Sequence, residues 1–281
     1  MYYSTVPVLE EVAKINPQRI IGAQCLPPSV AAMCGLRDVR GYDSVDPKRM
    51  ISLLQIAAGP QSKKYDYALA QWLSPKATLG EDGSVRLSPV LDLLGVRYVI
   101  GRGLSPPQSR PAFTGPDYWA LENPAVLPRA FVPARVEVEP DDALRLAKLA
   151  SPQFDPREVA YVESPISLPA TSRGVVSVVD ETPARVVLNA TLETSGLVIL
   201  ADSWDAGWKA RLDGKPVPIL RTDHALRGVL VPAGNSELEF RYQPDSFTLG
   251  LNLFALAFIA LVIQAGIIWR SRATAPASPA R

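Results

Sequence analysis

The run Leu249–Trp269, LGLNLFALAFIALVIQAGIIW, carries 21 consecutive residues without a charged side chain. At about 1.5 Å of rise per residue, such a helix is about 30 Å long, the thickness of a bilayer hydrocarbon core. Asn252 and Gln264 are its only strongly polar side chains, Trp269 sits at an interface position, and Arg270 and Arg272 follow. A helix apolar on every side for this length fits lipid better than the buried core of a soluble protein. The arginines point the C-terminus to the cytoplasm. The cell membrane is therefore the expected location, with a single C-terminal span and residues 1–245 outside. The N-terminus, MYYSTVPVLEEVAKINPQR, lacks the apolar core of a signal peptide. Export of so large a region then calls for earlier membrane segments, as in the C-terminal piece of a longer polytopic protein or a split reading frame. Residues 270–281 are expected to form a disordered cytoplasmic tail.

Outside that run, the chain alternates apolar segments with Pro- and Gly-rich breaks. RIIGAQ (19–24), VRYVI (96–100), YWALEN (118–123), RAFVPARVEVE (129–139) and REVAYVES (157–164) read as strands. DPKRMISLLQIAAG and SPVLDLLG read as helices opened by Asp46-Pro47 and Ser88-Pro89 and closed by Gly59 and Gly95. DDALRLAKLASP is amphipathic, with acidic residues in its first turn. Residues 1–165 thus predict a mixed α/β or α+β region.

Residues 170–245 change in texture. Short β-runs separated by turn residues predict an antiparallel, sandwich-like domain. Asp213-Gly214 predicts a hairpin within WKARLDGKPVPIL. A second hairpin is expected in ALRGVLVPAGNSELEFRYQP, turning at PAGN.

The residues of this segment resemble the C-terminal end of the YfhO family, bacterial polytopic membrane proteins related to GT-C glycosyltransferases. The matching pieces are Gly207-Trp208-Lys209, Asp213-Gly214-Lys215, Val231-Pro232-Ala233-Gly234 and Tyr242-Gln243-Pro244, directly followed by the apolar run. GLRDVRGYDSV (35–45), LDLLGVRYVI (91–100) and ENPAVLPRAFVP (122–133) resemble the family's extracytoplasmic region. Ala206 stands where the family usually has proline. The resemblance implies the accessory end of a glycosyltransferase-like protein that uses a lipid-linked sugar. The family's catalytic acid lies in an early loop to which nothing in this chain corresponds. Its partners would be membrane lipid, a lipid-linked sugar or cell-envelope glycan, and the polytopic membrane part. The rival reading is a stand-alone, membrane-anchored carbohydrate-binding or adhesion-like module.

Other chemistries find little support. A net charge of +1 gives no nucleic-acid footprint. Cys25 and Cys34 are too few for a disulfide scaffold and lack metal-motif spacing, which leaves their pairing open. GRGLSP (101–106) has Pro106 where a dinucleotide-binding turn needs its third glycine, and reads as a loop leaving a strand. His224, the one histidine, is expected on a solvated loop or strand, with Asp223 on the opposite strand face. Arg221 and Arg227 are expected on a solvated strand face. Asp202 and Asp205 flank Trp204 but have no defined separation, and Asp141-Asp142 fits helix N-terminal charge. Trp204, Asp205 and Trp208 are the candidate carbohydrate contacts, with Trp208 also fitting the core under the hairpin. No catalytic residue, metal ligand or cofactor is assigned.

Overall fold

The computed structural model describes residues 6–16, 18–23, 25–41, 47–59 and 73–273. Its N-terminal region is built on a four-stranded sheet of β1 (Arg19–Gly22), β4 (Val96–Arg102), β5 (Phe113–Thr114) and β6 (Tyr118–Glu122), ordered β1-β4-β6-β5. The β1–β4 pair is parallel and the others antiparallel. Strand alternation divides the side chains between two cores. Ile20, Tyr98, Ile100 and Ala120 face a core completed by α1 (Pro7–Lys14) and α2 (Pro28–Met33). Ile21, Val99, Trp119 and Leu121 face the larger core, with α3 (Lys48–Ile56) and α4 (Pro89–Leu93). A small ribbon pairs β2 (Ala77–Leu79) with β3 (Val85–Leu87).

Several local signals act as expected. Pro89 opens α4, and Gly95, at φ +71°, lets the chain turn into β4. The Ser88 side chain itself makes no capping hydrogen bond. Asp46, the expected cap of α3, lies outside the described residues. Helix α5 (Asp142–Leu149) is capped by Asp141, whose side chain accepts from the Leu144 N–H at 2.8 Å. Helix α1 escaped the sequence reading, although Pro7 at its first turn and buried Val8, Leu9 and Val12 mark it. Gly101 is part of β4, opposite Trp119, and the indole ring lies where a Cβ would stand. The glycine serves close packing on an aromatic ring.

Two further sheets form the sandwich. One is entirely antiparallel: β10 (Gly174–Thr182), β11 (Arg185–Leu192), β17 (Gly234–Tyr242), β13 (Trp208–Leu212) and β14 (Lys215–Val217), in that spatial order. The second runs β7 (Ala130–Phe131), β12 (Gly196–Ser203), β16 (Leu226–Val231), β15 (Leu220–Thr222), β9 (Val159–Val162) and β8 (Arg135–Val138). Three of its six strands precede residue 165, so this sheet crosses the sequence boundary placed at 165–170. The Asp213-Gly214 hairpin joins β13 to β14, with both turn residues at positive φ (49° and 77°). The expected hairpin at PAGN does not form. Strand β16 lies in the six-stranded sheet and β17 in the five-stranded one, so Pro232–Gly234 carry the chain between layers.

Between the sheets, Val186, Leu188, Ala190, Leu192, Leu238 and Phe240 meet Val198, Leu200, Val229 and Val231. Phe240 is fully buried, worth roughly 1.5–3 kcal/mol in apolar transfer. Leu197, Ile199 and Ala201 of β12 point the other way, into the larger core beneath α3 and α4. Strand β12 is therefore covered on both faces, and the six-stranded sheet is a middle layer.

The fold is thus a mixed α/β region, an antiparallel β-sandwich and a C-terminal helix, α6 (Asp245–Ala273). The stretch Asp245–Gly266, 22 residues, is long and apolar enough to cross a membrane, and none of it is buried against the body. The helix continues through Arg270 to Ala273, where a disordered tail was expected; residues 274–281 lie outside the described residues.

Candidate functional site

Asp202 is the centre of a charge network that joins several elements. The register between β12 and β16 shifts between Leu200 and Ser203, a bulge that contains Asp202. Its carboxylate accepts from Arg19 at 2.5 Å, from Arg129 at 2.9 and 2.8 Å, and from Arg227 at 2.9 Å. Burial alone would raise its pKa. Hydrogen bonds from Arg129 and the charges of Arg19 and Arg227 outweigh burial and hold it well below the usual carboxylate range. Arg227 is buried between the sheets, its guanidinium 3.9 Å from the Trp208 ring centre and 5.4 Å from that of Phe240. Burial, with repulsion from Arg129 and Arg19 against the pull of Asp202, lowers its pKa to about 10. The solvated strand face expected for Arg227 is an inter-sheet position, because the same parity that buries Val229 and Val231 buries Arg227.

From this centre the network spreads. Arg129 also pairs with Glu181 of β10, and Glu181 pairs with Arg37. Arg19 from β1, Asp202 from β12 and Glu181 from β10 thus tie all three large sheets together. Along the same side runs a cleft of about 520 Å³, lined by Asn16, Gln18, Arg37, Arg129, Ser177 and Glu181 among others.

A second cluster surrounds the turn between β15 and β16. Asp223 and His224 adopt positive φ (46° and 73°) and are almost wholly buried. Asp223 Oδ1 accepts from the Tyr161 N–H at 2.8 Å, while Oδ2 has no hydrogen-bond partner among the described residues. Burial raises its pKa to about 7 against the opposing Tyr161 N–H and Arg145. His224 is likewise buried, not solvated, because β9 and α5 pack over the turn. Burial, then Arg49 and Arg145, push its pKa down to about 4. Beside it, Glu163 accepts from Arg49 at 2.7 Å, Arg145 at 3.1 Å and Arg221 at 2.9 Å. Arg221 is half-buried.

The three candidate carbohydrate contacts are now placed. Arg221 lies over the half-buried Trp204, 4.0 Å from its ring centre. Trp208 is half-buried on the sandwich core, stacked by Arg227 and 5.3 Å from the Tyr242 ring centre. Asp205 is exposed, and its Oδ1 accepts from the Gly207 N–H at 2.8 Å, an Asx turn. At Gly207 a Cβ would lie 2.6 Å from the Tyr242 ring, which accounts for Gly before Trp208. Trp204 and Trp208 each present a face to an arginine, and Asp205 holds the turn between them. Asp202 is buried in the arginine network, whereas Asp205 lies exposed in its own turn.

Cys25 and Cys34 are free thiols, and burial pushes Cys25 up to about 11. Among the described residues no group of His, Cys, Asp and Glu could hold a metal. The arginine network escaped sequence reasoning because its members are spread from residue 19 to residue 227 with no local pattern. Comparison with protein-family models, with curated proteins and with solved structures yields no match to this chain.

Proposed function

We propose that this chain is the extracytoplasmic region and last membrane helix of a YfhO-like, GT-C-related membrane protein, an accessory part in glycosyl transfer from a lipid-linked sugar. One observation carries the reading. The folded body passes from β17 through Gln243-Pro244 directly into the exposed apolar helix α6, with Lys209 of β13 3.3 Å from Asp245 at the helix start. A domain held this close to a bilayer is suited to work at the membrane surface. The cationic Arg270 and Arg272 at the far end of α6 favour the body lying outside.

The accessory role rests on the acids. Transfer from a lipid phosphate needs a positioned acid or base and stabilisation of the leaving phosphate. Asp202 is locked to three arginines, Asp205 is engaged in its own turn, and His224 is buried with a low pKa. The chain, purified in detergent and assayed with polyprenyl-phosphate sugars, is expected to show no turnover. Turnover is expected only when the polytopic membrane part is supplied. Activity of the isolated chain that disappears in Asp205→Asn would replace this reading with an active site beside Trp204.

A further inference from the structure

The arginine network that opens into the cleft beside Glu181 has an imbalance of charge, carried by Arg19, Arg227 and Asp202 behind the cleft wall. Arg19, Arg37, Arg129 and Arg227 are joined through two carboxylates, Asp202 and Glu181. Asp180, which also lines the cleft, is neutralised by Arg185. Among the described residues, four guanidiniums against two carboxylates leave an excess of two positive charges. Burial lowers the pKa of Arg19 and Arg227, Asp202 opposes that, and Arg129 adds a smaller lowering in each case, while, against burial, Asp202 and Glu181 raise that of Arg129 itself.

The open end of this network faces the cleft. The Arg37 side chain is 50% exposed and that of Arg129 20%, and the two grip the two oxygens of the Glu181 carboxylate. Glu181 sits near the end of β10, an edge strand of its sheet, and is itself one-third exposed. It occupies the position that an external oxyanion would take between two guanidinium forks. Asn16, Gln18 and Ser177 supply neutral hydrogen-bonding groups on the same walls. At about 520 Å³ the cleft lies in the range that holds small ligands.

We propose that this cleft binds a phosphate-bearing ligand through Arg37 and Arg129, with Glu181 as the internal anion that the ligand competes with. The proposal is independent of the glycosyl-transfer reading, since it depends only on the two guanidiniums that flank Glu181 and the arginine network behind them. Phosphate could arrive on a soluble molecule or on a lipid headgroup, and both present the same oxyanion to the guanidiniums.

The full chain, labelled with 15N-arginine in zwitterionic detergent, tests this by titration at constant ionic strength. One arm adds inorganic phosphate and the other adds phosphatidylglycerol to the micelles, with chloride as the control. The Nε signals of Arg37 and Arg129 are expected to shift and saturate with phosphate, with the lipid, or with both; the responding arm identifies the source. Arg37→Ala, an exposed position whose loss leaves the Asp202 centre intact, is expected to weaken binding by about tenfold, and Glu181→Gln to tighten it by about tenfold. Absence of saturation in both arms overturns the proposal. So does saturation unchanged in Arg37→Ala, once its amide spectrum shows a folded protein.

Discussion

Asp223 and His224 are neighbours with opposite responses to pH. Asp223, raised to about 7, is protonated in the fold at pH values where an unfolded aspartate, near 3.9, is ionised. Folding therefore takes up a proton between about pH 4 and pH 7, and Asp223 makes stability fall as pH rises through that window. His224, lowered to about 4, is neutral in the fold where an unfolded histidine, near 6.5, is charged. Folding expels that proton, so His224 makes stability rise with pH between about 4 and 6.5. The two slopes oppose each other. Asp223→Asn keeps an oxygen for the Tyr161 N–H and tolerates the left-handed backbone. It is expected to stabilise the protein at pH 8 by roughly 2–4 kcal/mol, and to uncover the rise due to His224 at acid pH. Denaturant unfolding of the full chain from pH 4.5 to 8 checks this, and equal stability of the two proteins at pH 8 would refute it. None of this was legible in RTDHALR. An alternating strand pattern gave His224 a solvated face, whereas the residues that bury it come from β9 and α5, about sixty to eighty positions earlier.

Elements were legible where the signal is local. Asp213-Gly214 needs left-handed backbone at both positions and a following polar strand, and all of this stands in five residues. Asp141 and Pro89 announce helix starts by their own chemistry. Val231–Gly234 misled for an equally physical reason. A tight turn looks the same in sequence whether the next strand pairs with the last or crosses to the facing sheet, and the partners of β17 are β11 and β13, some fifty and thirty residues earlier. The apolar helix α6 was legible from composition, but its orientation rests on Arg270 and Arg272 alone. Reporter fusions at residue 240 and at the C-terminus, in the full-length protein, are expected to place residue 240 outside and the C-terminus in the cytoplasm. An active cytoplasmic reporter at 240 would reverse the topology.

For the whole molecule, the sequence boundary at 165–170 marks a change in strand content and not an autonomous unit. Residues 170–245 alone would lack β7, β8 and β9, and would expose Leu197, Ile199 and Leu226, which the N-terminal region covers. That fragment is expected to bind a hydrophobic dye and to lack a sharp unfolding transition; a cooperative transition would show that the sandwich is self-sufficient. The arginine network was illegible for the same reason as the middle layer: both are made by segments meeting across most of the chain. Arg19 reaches Asp202 over 183 positions. The double coverage of β12 has a consequence for synthesis. A nascent chain that has released only its first 190 residues has helices and a four-stranded sheet, but lacks Leu197, Ile199, Ala201 and Leu226, which complete the cover of their larger apolar face. That face stays incompletely covered until β12 emerges and inserts between the two halves. Such late, long-range closure is the high-contact-order regime, in which folding is slow and partly folded chains are prone to associate. With α6 following some forty residues after β12, closure of the core and exposure of a helix long and apolar enough to span a bilayer fall in nearly the same interval of synthesis.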